Sequence, residues 1–265
     1  MFQPVTTRSR RSKPIEATIS AHGLKLFVRE QGEGYPLVLV NGIGANSEMW
    51  GGAERILAVS SRTIVFDSPG TGRSETPMLP RSIPALARII GALLDELGYE
   101  RVDLLGFSFG GVVAQQLAKD APDRIRRLAL VSTFCGWGAT AGDPGVLGRL
   151  VANGTSVQNP LGSTYQLFAL AGWSSISWLS QILAPTLVVA GTGDELVPPS
   201  NGEQLARHLP NSRLHLIPGA EHLCMFDPGG AGARLLADFF SSETVEASKA
   251  WKTGMQASNF VGEAV

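Results

Sequence analysis

Short apolar runs alternate with amphipathic stretches along most of the chain. Five runs rich in Val, Ile and Leu predict buried strands, at 37–40, 63–66, 102–105, 128–131 and 186–190. Apolar residues spaced three and four apart predict amphipathic helices between them, at 84–97, 110–119 and 202–209. Strands alternating with helices are typical of βαβ units. The pattern therefore predicts an α/β fold with a mostly parallel central sheet flanked by helices.

Four segments depart from this alternation: a hairpin near the start, a cap insertion, and an arm and a tail at the two ends. Two short strands at 16–20 and 25–30, with His22-Gly23 between them, predict an antiparallel hairpin. The alternation breaks in a stretch rich in Gly, Ser and Trp, which is interpreted as a short helical cap insertion. The predicted division is a flexible basic arm at 1–13, an α/β core at 14–135 and 184–242, the cap at 136–183, and a C-terminal tail at 243–265.

The pentapeptide Gly106-Phe107-Ser108-Phe109-Gly110 fits G-x-S-x-G and directly follows a predicted strand. A sharp strand-to-helix turn at this point would expose the Ser108 hydroxyl above the edge of the sheet. The flanking glycines would relieve crowding, and the helix N-terminus would offer N–H groups to a developing oxyanion. A serine that only caps the helix would not need both glycines. We therefore predict that Ser108 is a nucleophile.

A serine nucleophile needs a general base, which in turn needs an orienting acid. Four histidines are present, His22, His208, His215 and His222. His222 lies in a loop just beyond a strand, where catalytic groups of open parallel sheets collect. The other three lie in the hairpin turn, in a helix and within a strand. His222 is therefore the predicted base.

The acid is expected past a strand end, between Ser108 and His222 in chain order. Asp194 meets both conditions, and its neighbour Glu195 is a rival. The loop after 128–131 also hosts the acid in some folds of this kind, but here it carries no carboxylate. An aspartate beside a glycine can also be a simple turn residue. Asp194 is the predicted acid.

Two further loops are rich in glycine. The loop 41–46 follows the strand 37–40 and predicts that the backbone N–H groups of Ile43 and Phe109 form an oxyanion hole. It lacks the G-x-G-x-x-G of a dinucleotide site. The loop 67–74 lacks the Lys-Ser/Thr of a phosphate-binding loop and is interpreted as a structural turn near the site.

Composition narrows the functional classes. Hydrophobic residues make up 44% of the chain and charged residues 17%, so a sizeable core is expected. The formal net charge of −1 argues against a nucleic-acid partner. Two cysteines without CxxC spacing predict neither a metal site nor a disulfide scaffold. Without a secretory signal or an apolar run approaching ~18 residues, we expect a cytoplasmic protein with no transmembrane segment.

Taken together, these motifs resemble the α/β-hydrolase superfamily from about residue 15 to 240. The resemblance rests on the Asn-Gly-Ile-Gly loop, Asp-Ser-Pro-Gly-Thr-Gly-Arg-Ser, Gly-Phe-Ser-Phe-Gly-Gly, Gly-Thr-Gly-Asp-Glu-Leu-Val-Pro and Gly-Ala-Glu-His. It implies Ser108 as nucleophile, Asp194 as acid and His222 as base.

A narrower resemblance is to intracellular medium-chain-length poly(3-hydroxyalkanoate) depolymerases. It is carried by the loop 41–46 and by the stretches 165–169 and 172–179 leading into 185–191. It implies an esterase without cofactor or metal that acts on a storage polyester at a granule surface. Phe109 stands where that family usually has Trp, and the cap of this chain is shorter than the cap of that family.

The cap aromatics Trp137, Phe168, Trp173 and Trp178 are predicted to line an apolar substrate site. The alternative is that they bury the cap against the core. Other functions stay open as well: a small-molecule carboxylesterase, lactonase or perhydrolase, a non-catalytic relative that binds an apolar ligand, or an adhesive granule-surface protein.

Overall fold

The computed structural model describes residues 14–152, 159–227 and 229–256. The predicted arm at 1–13 lies outside these residues. The strands are β1 (Ile15–Ala21), β2 (Leu24–Gln31), β3 (Tyr35–Val40), β4 (Ser61–Phe66), β5 (Val102–Phe107), β6 (Ile125–Val131), β7 (Thr186–Gly191) and β8 (Ser212–Ile217). The helices are α1 (Gly51–Leu57), α2 (Ile83–Glu96), α3 (Phe109–Asp120), α4 (Pro144–Ala152), α5 (Pro160–Leu170), α6 (Pro199–His208), α7 (Ala231–Ser241) and α8 (Lys249–Thr253).

One sheet of eight strands has the order β1-β2-β4-β3-β5-β6-β7-β8. The hairpin β1–β2 is antiparallel and pairs with β4 in the antiparallel sense, whereas β4, β3 and β5 to β8 run parallel. His22 and Gly23 make the hairpin turn with φ of 48° and 78°. The predicted α/β fold with a mostly parallel sheet is confirmed.

Helices cover both faces of the sheet, which explains why its central strands are continuous apolar runs. Every residue of β5 and of β7 is buried. Within β5, Leu104 packs in the cluster that contains α2 and α3, while Leu105 packs in the cluster that contains α1 and α7. Since neighbouring residues of a strand face opposite sides, one apolar run fills two cores.

Residues 249–255 pack on the core, where the sequence pattern suggested only a tail. The Trp251 ring stacks on the Phe239 ring of α7 with centroids 5.9 Å apart. Met255 and Leu214 of β8 exchange two backbone hydrogen bonds, of 2.8 and 2.9 Å. A five-residue helix is too short to reveal a period of 3.6 residues, so its burial shows only in the folded chain.

In the predicted cap, α4 and α5 are the helices that the described residues form. Within the predicted cap, an antiparallel bridge pairs Gly136 with Ser174. The Trp137 N–H donates to the Trp173 carbonyl at 2.9 Å. The boundaries of core, cap and tail stay a prediction.

Candidate active site

Ser108 occupies the sharp turn between β5 and α3. Its φ of 52° and ψ of −119° are strained for a residue with a side chain. Two hydrogen bonds hold this conformation: the Ser108 N–H donates to the Val131 carbonyl at 2.9 Å, and the Thr133 hydroxyl donates to the Ser108 carbonyl at 2.7 Å. The end of the neighbouring strand β6 therefore fixes the turn that presents Ser108.

The glycines on both sides of Ser108 are required by close backbone contacts. A Cβ at Gly106 would lie 2.5 Å from Cα of Gly111, and a Cβ at Gly110 would lie 2.1 Å from the Val40 carbonyl oxygen. Both distances are far below contact distance, so no other residue fits without moving the backbone. This confirms the crowding argument made from the sequence.

Ser108, His222 and Asp194 form a continuous hydrogen-bonded chain. Nε2 of His222 lies 3.1 Å from Oγ of Ser108, and Nδ1 lies 2.9 Å from Oδ2 of Asp194. The three residues are 8%, 5% and 3% exposed, in that order. The distances suit proton transfer from a serine hydroxyl to an oriented imidazole.

Oδ1 of Asp194 accepts the backbone N–H groups of Leu196 and Val197, at 3.0 and 2.8 Å. These bonds leave Oδ2 facing the histidine. The rival Glu195 has an exposed side chain that lies 3.5 Å from the guanidinium of Arg149. Of the two carboxylates, Asp194 is the one that the structure places against His222.

The parallel sheet brings Asp194 and His222, the predicted acid and base, together. Asp194 follows the carboxyl end of β7 and His222 follows that of β8, and these two strands are neighbours. The Gly193 N–H donates to the Ala220 carbonyl at 2.9 Å, so the two loops are joined directly. A Cβ at Gly191 would lie 2.1 Å from the same carbonyl oxygen. Catalytic groups collect at this edge because parallel strands end there.

The predicted oxyanion loop forms a tight turn beside the serine. The Ala45 N–H donates to the Gly42 carbonyl at 3.2 Å, and Gly44 has a φ of 67°, as in the third position of a type II turn. A Cβ at Gly42 would lie 3.7 Å from Cβ of Ser108. The turn therefore carries Ile43 next to Ser108. Phe109 opens α3, where N–H groups have no intrahelical acceptor.

Asn41 anchors the start of this turn, a role that the sequence reasoning missed. Its Nδ2 donates to the Phe66 carbonyl at 3.0 Å, and its Oδ1 accepts the indole N–H of Trp50 at 2.5 Å. Asn41 is 1% exposed. A buried amide that uses both its donor and its acceptor holds the backbone more rigidly than an apolar residue would.

The second glycine-rich loop has the structural role expected of it. The Asp67 carboxylate accepts the Ser47 N–H at 2.6 Å and the Arg73 N–H at 2.7 Å. A Cβ at Gly72 would collide with the same carboxylate. Asp67 thereby ties the loop 67–74 to the segment that follows the turn 42–45, which we call the oxyanion turn.

Cap helix α5 contacts the oxyanion turn through Gln166. The side-chain Oε1 of Gln166 accepts the Gly44 N–H at 2.7 Å, and the residue is 3% exposed. Gln166 lies in the stretch 165–169, which carries part of the family resemblance, and no role was predicted for its side chain. A signal was available, because Gly162, Gln166 and Ala169 share the buried face of α5 at spacings of four and three. A glutamine within a buried stripe is unusual.

The cap aromatics divide into two pairs. Trp173 is 9% exposed, its indole N–H donates to Gln116 of α3 at 2.8 Å, and its ring meets that of Trp178 edge-on at 5.9 Å. This geometry favours the interpretation that Trp173 and Trp178 bury the cap against the core. Trp137 and Phe168 are 81% and 63% exposed. Their contact with a substrate stays a prediction.

The described residues contain no group of three or more His, Cys, Asp or Glu side chains arranged to hold a metal ion. Across the same part of the chain, no helix combines the length and the apolar character needed to cross a membrane.

The model of the alpha/beta hydrolase fold family matches residues 35–147 and 143–228 of this chain. The chain therefore belongs to the α/β-hydrolase family, as the fold and the strand-to-helix turn at Ser108 indicate. Several of its relatives are named as hydrolases, among them the 2-hydroxy-6-oxo-6-phenylhexa-2,4-dienoate hydrolase of Burkholderia cepacia. The resemblance found in the sequence is confirmed.

Particular relatives narrow the comparison. The chain is 35% identical to a poly(3-hydroxyalkanoate) depolymerase of Ectopseudomonas oleovorans over 241 residues, which cover 78% of this chain and 85% of that one. A hydrolase from Pseudomonas aeruginosa PA01 superposes with a TM-score of 0.76 at 26% identity, covering 86% and 98%. The enol-lactonase of Burkholderia xenovorans LB400 also superposes with a TM-score of 0.76, covering 85% of this chain and 100% of that one. At 23% identity, this likeness shows the fold alone.

Proposed function

We propose that this protein is a serine esterase that cleaves carboxylic esters through an acyl-enzyme intermediate. The observation that carries the proposal is the hydrogen-bonded chain from Ser108 through His222 to Asp194, with distances of 3.1 and 2.9 Å. An adjacent base and an orienting acid are what a serine hydroxyl needs to become a nucleophile at neutral pH.

In this mechanism, Oγ of Ser108 attacks the ester carbonyl carbon while Nε2 of His222 takes the hydroxyl proton. The protonated imidazole then gives that proton to the departing alcohol oxygen. Water then attacks the acyl carbon while Nε2 of His222 takes a proton from it. The imidazolium returns that proton to Oγ of Ser108 as the acid is released. Asp194 holds the proton on Nδ1 and stabilises the imidazolium cation, without itself becoming protonated.

The tetrahedral intermediate carries a negative oxygen that needs hydrogen-bond donors. The backbone N–H groups of Ile43 and Phe109 are the proposed donors, one from the turn beside Ser108 and one from the start of α3. Removing one such donor typically lowers the rate about 100- to 1,000-fold. No step of this scheme calls for a metal or cofactor.

For the substrate class, we propose medium-chain 3-hydroxyacyl esters, including the polyester. Support comes from the relative named as a poly(3-hydroxyalkanoate) depolymerase. It also comes from α5, which exposes Leu161, Leu167 and Phe168 by 50%, 51% and 63%. Exposed apolar side chains on the helix that contacts the oxyanion turn suit an apolar polymer surface. A cytoplasmic location and a granule partner stay predictions.

The test is release of 3-hydroxy acids from a suspension of medium-chain polyhydroxyalkanoate, with short- and medium-chain nitrophenyl esters assayed in parallel. A fluorophosphonate probe reports whether Ser108 is nucleophilic, and Ser108→Ala is the matched control. We expect release by the wild type and a loss of at least about 1,000-fold in the variant.

Each other outcome has a definite meaning. Hydrolysis of soluble esters alone would retire the polyester and leave a small-molecule esterase or lactonase. A wild-type protein that the probe does not label and that cleaves no ester would instead indicate a non-catalytic, ligand-binding relative.

A further inference from the structure

Gln166 reaches from cap helix α5 to the oxyanion turn. Its Oε1 accepts the Gly44 N–H at 2.7 Å across 122 residues of sequence. Its Nε2 is buried without a hydrogen-bond partner among the described residues. An unpaired buried donor costs free energy, which an apolar side chain of the same size would avoid. Packing of the cap alone therefore does not account for a glutamine here.

The bond from Gly44 selects one of two orientations of a peptide group. In the turn from Gly42 to Ala45, the middle peptide joins Ile43 and Gly44. Type I and type II turns differ by a flip of this middle peptide, and a glycine in the third position permits either. After a flip, the Ile43 carbonyl oxygen would face Oε1 of Gln166, so the hydrogen bond from Gly44 would be lost and the side-chain amide would have to turn over. Gln166 therefore favours the observed orientation, with Gly44 at a φ of 67°.

The same turn carries the Ile43 N–H, the oxyanion donor of the proposed function. Gly42 is close enough to the serine that a Cβ on it would lie 3.7 Å from Cβ of Ser108. An oxyanion donor works only when it is held within a narrow range of distance and angle. We propose that Gln166 is a positioning residue that holds the turn 42–45 in its observed conformation, so that the position of the Ile43 N–H, and with it the oxyanion hole, depends on the docking of α5. This inference rests on the proposed function.

Other contacts dock α5 without touching the oxyanion turn. Nδ2 of Asn159 donates to the Thr76 hydroxyl at 2.9 Å, and the Tyr165 hydroxyl donates to the Met78 carbonyl at 3.3 Å. Tyr165 is the sequence neighbour of Gln166. Tyr165→Phe therefore removes a cap-to-core hydrogen bond of the same helix and leaves the partner of Gly44 in place, which makes it a matched control.

The test compares Gln166→Met and Tyr165→Phe with the wild type on a soluble nitrophenyl ester. Methionine matches the glutamine in shape but lacks a strong acceptor, and it also removes the unpaired donor, so the variant should fold. We expect kcat of Gln166→Met to fall by about 10- to 100-fold with KM changed less than about threefold. Tyr165→Phe should stay within about twofold in both. Gln166→Leu, which also lacks the acceptor, is made in parallel and takes the place of Gln166→Met if that variant does not fold.

Amide hydrogen exchange at Gly44 tests the positioning role independently of catalysis. We expect exchange about tenfold faster in Gln166→Met than in the wild type and unchanged in Tyr165→Phe. Equal exchange in all three proteins would overturn the inference, as would an unchanged kcat in Gln166→Met or an equal loss in Tyr165→Phe. Failure of the proposed function is distinct, since it would be a wild type that neither cleaves esters nor reacts with the probe.

Discussion

Replacing Asp194 by asparagine should disable the base without disturbing the fold. In the wild type, Oδ1 accepts two backbone N–H groups and Oδ2 faces Nδ1 of His222 at 2.9 Å. The asparagine oxygen would keep the two N–H donors, and its NH₂ group would then point at the imidazole. Nδ1 would have to accept this hydrogen bond, so the ring proton would move to Nε2. A protonated Nε2 that faces Ser108 cannot accept the hydroxyl proton.

The expected loss follows from this change of tautomer. A triad whose histidine is held in the wrong tautomer loses about 10,000-fold in kcat. That factor corresponds to about 5 kcal/mol of transition-state stabilisation, at 1.36 kcal/mol for each factor of ten. The matched control is Glu195→Gln, because that side chain is 72% exposed and lies 3.5 Å from Arg149. An exposed pair of this kind contributes little, so kcat should stay within about twofold.

The assay is kcat on a soluble nitrophenyl ester at saturation, together with the rate of fluorophosphonate labelling. A thermal melt establishes that both variants are folded. The reasoning is refuted if Asp194→Asn keeps more than about a tenth of wild-type kcat, a far smaller loss than the tautomer argument requires. It is refuted equally if Glu195→Gln falls as far as Asp194→Asn.

Two further predictions concern the core and the helix α8. Burial raises the pKa of the Cys224 thiol to about 11 and also raises that of Cys135, so neither should react with a disulfide reagent at pH 8 until the protein is unfolded. Fast reaction of native Cys224 would contradict this. Burial alone would raise the pKa of Asp238, but hydrogen bonds from the Ala250 N–H and the Ser248 hydroxyl outweigh it and hold that pKa below its ordinary value. The ionised carboxylate therefore stabilises the fold at pH values above its unfolded pKa of about 4. This stabilisation is lost as the pH falls through the lower pKa of the folded state. Over this pH range, the Tm of Asp238→Asn should therefore depend less on pH than the Tm of the wild type. An unchanged pH dependence of Tm in that variant would contradict the assignment.

The hydrogen-bonded arrangement of Ser108, His222 and Asp194 was predictable because each of the three residues is marked locally. Ser108 lies between two glycines after an apolar run, and Asp194 and His222 each follow a strand end. In a parallel sheet, such positions meet at one edge whatever the length of chain between them. The three residues could therefore be predicted without knowing that β7 and β8 are neighbours in the sheet. What the sequence left open between Asp194 and Glu195 was the direction of two adjacent side chains.

The residues that escaped prediction act through contacts between distant segments. Asn41 forms hydrogen bonds with Phe66 and Trp50, and Gln166 forms one with Gly44, which lies 122 residues away in the sequence. No local period marks such a pair, since each partner's surroundings are set by how the cap and the sheet pack. A polar residue within the buried face of a helix comes closest to a sequence signal for such a contact. It indicates that the side chain has a hydrogen-bond partner but does not identify that partner. Because α5 both supports the oxyanion turn and exposes apolar side chains, changes in the cap should alter turnover as well as substrate preference.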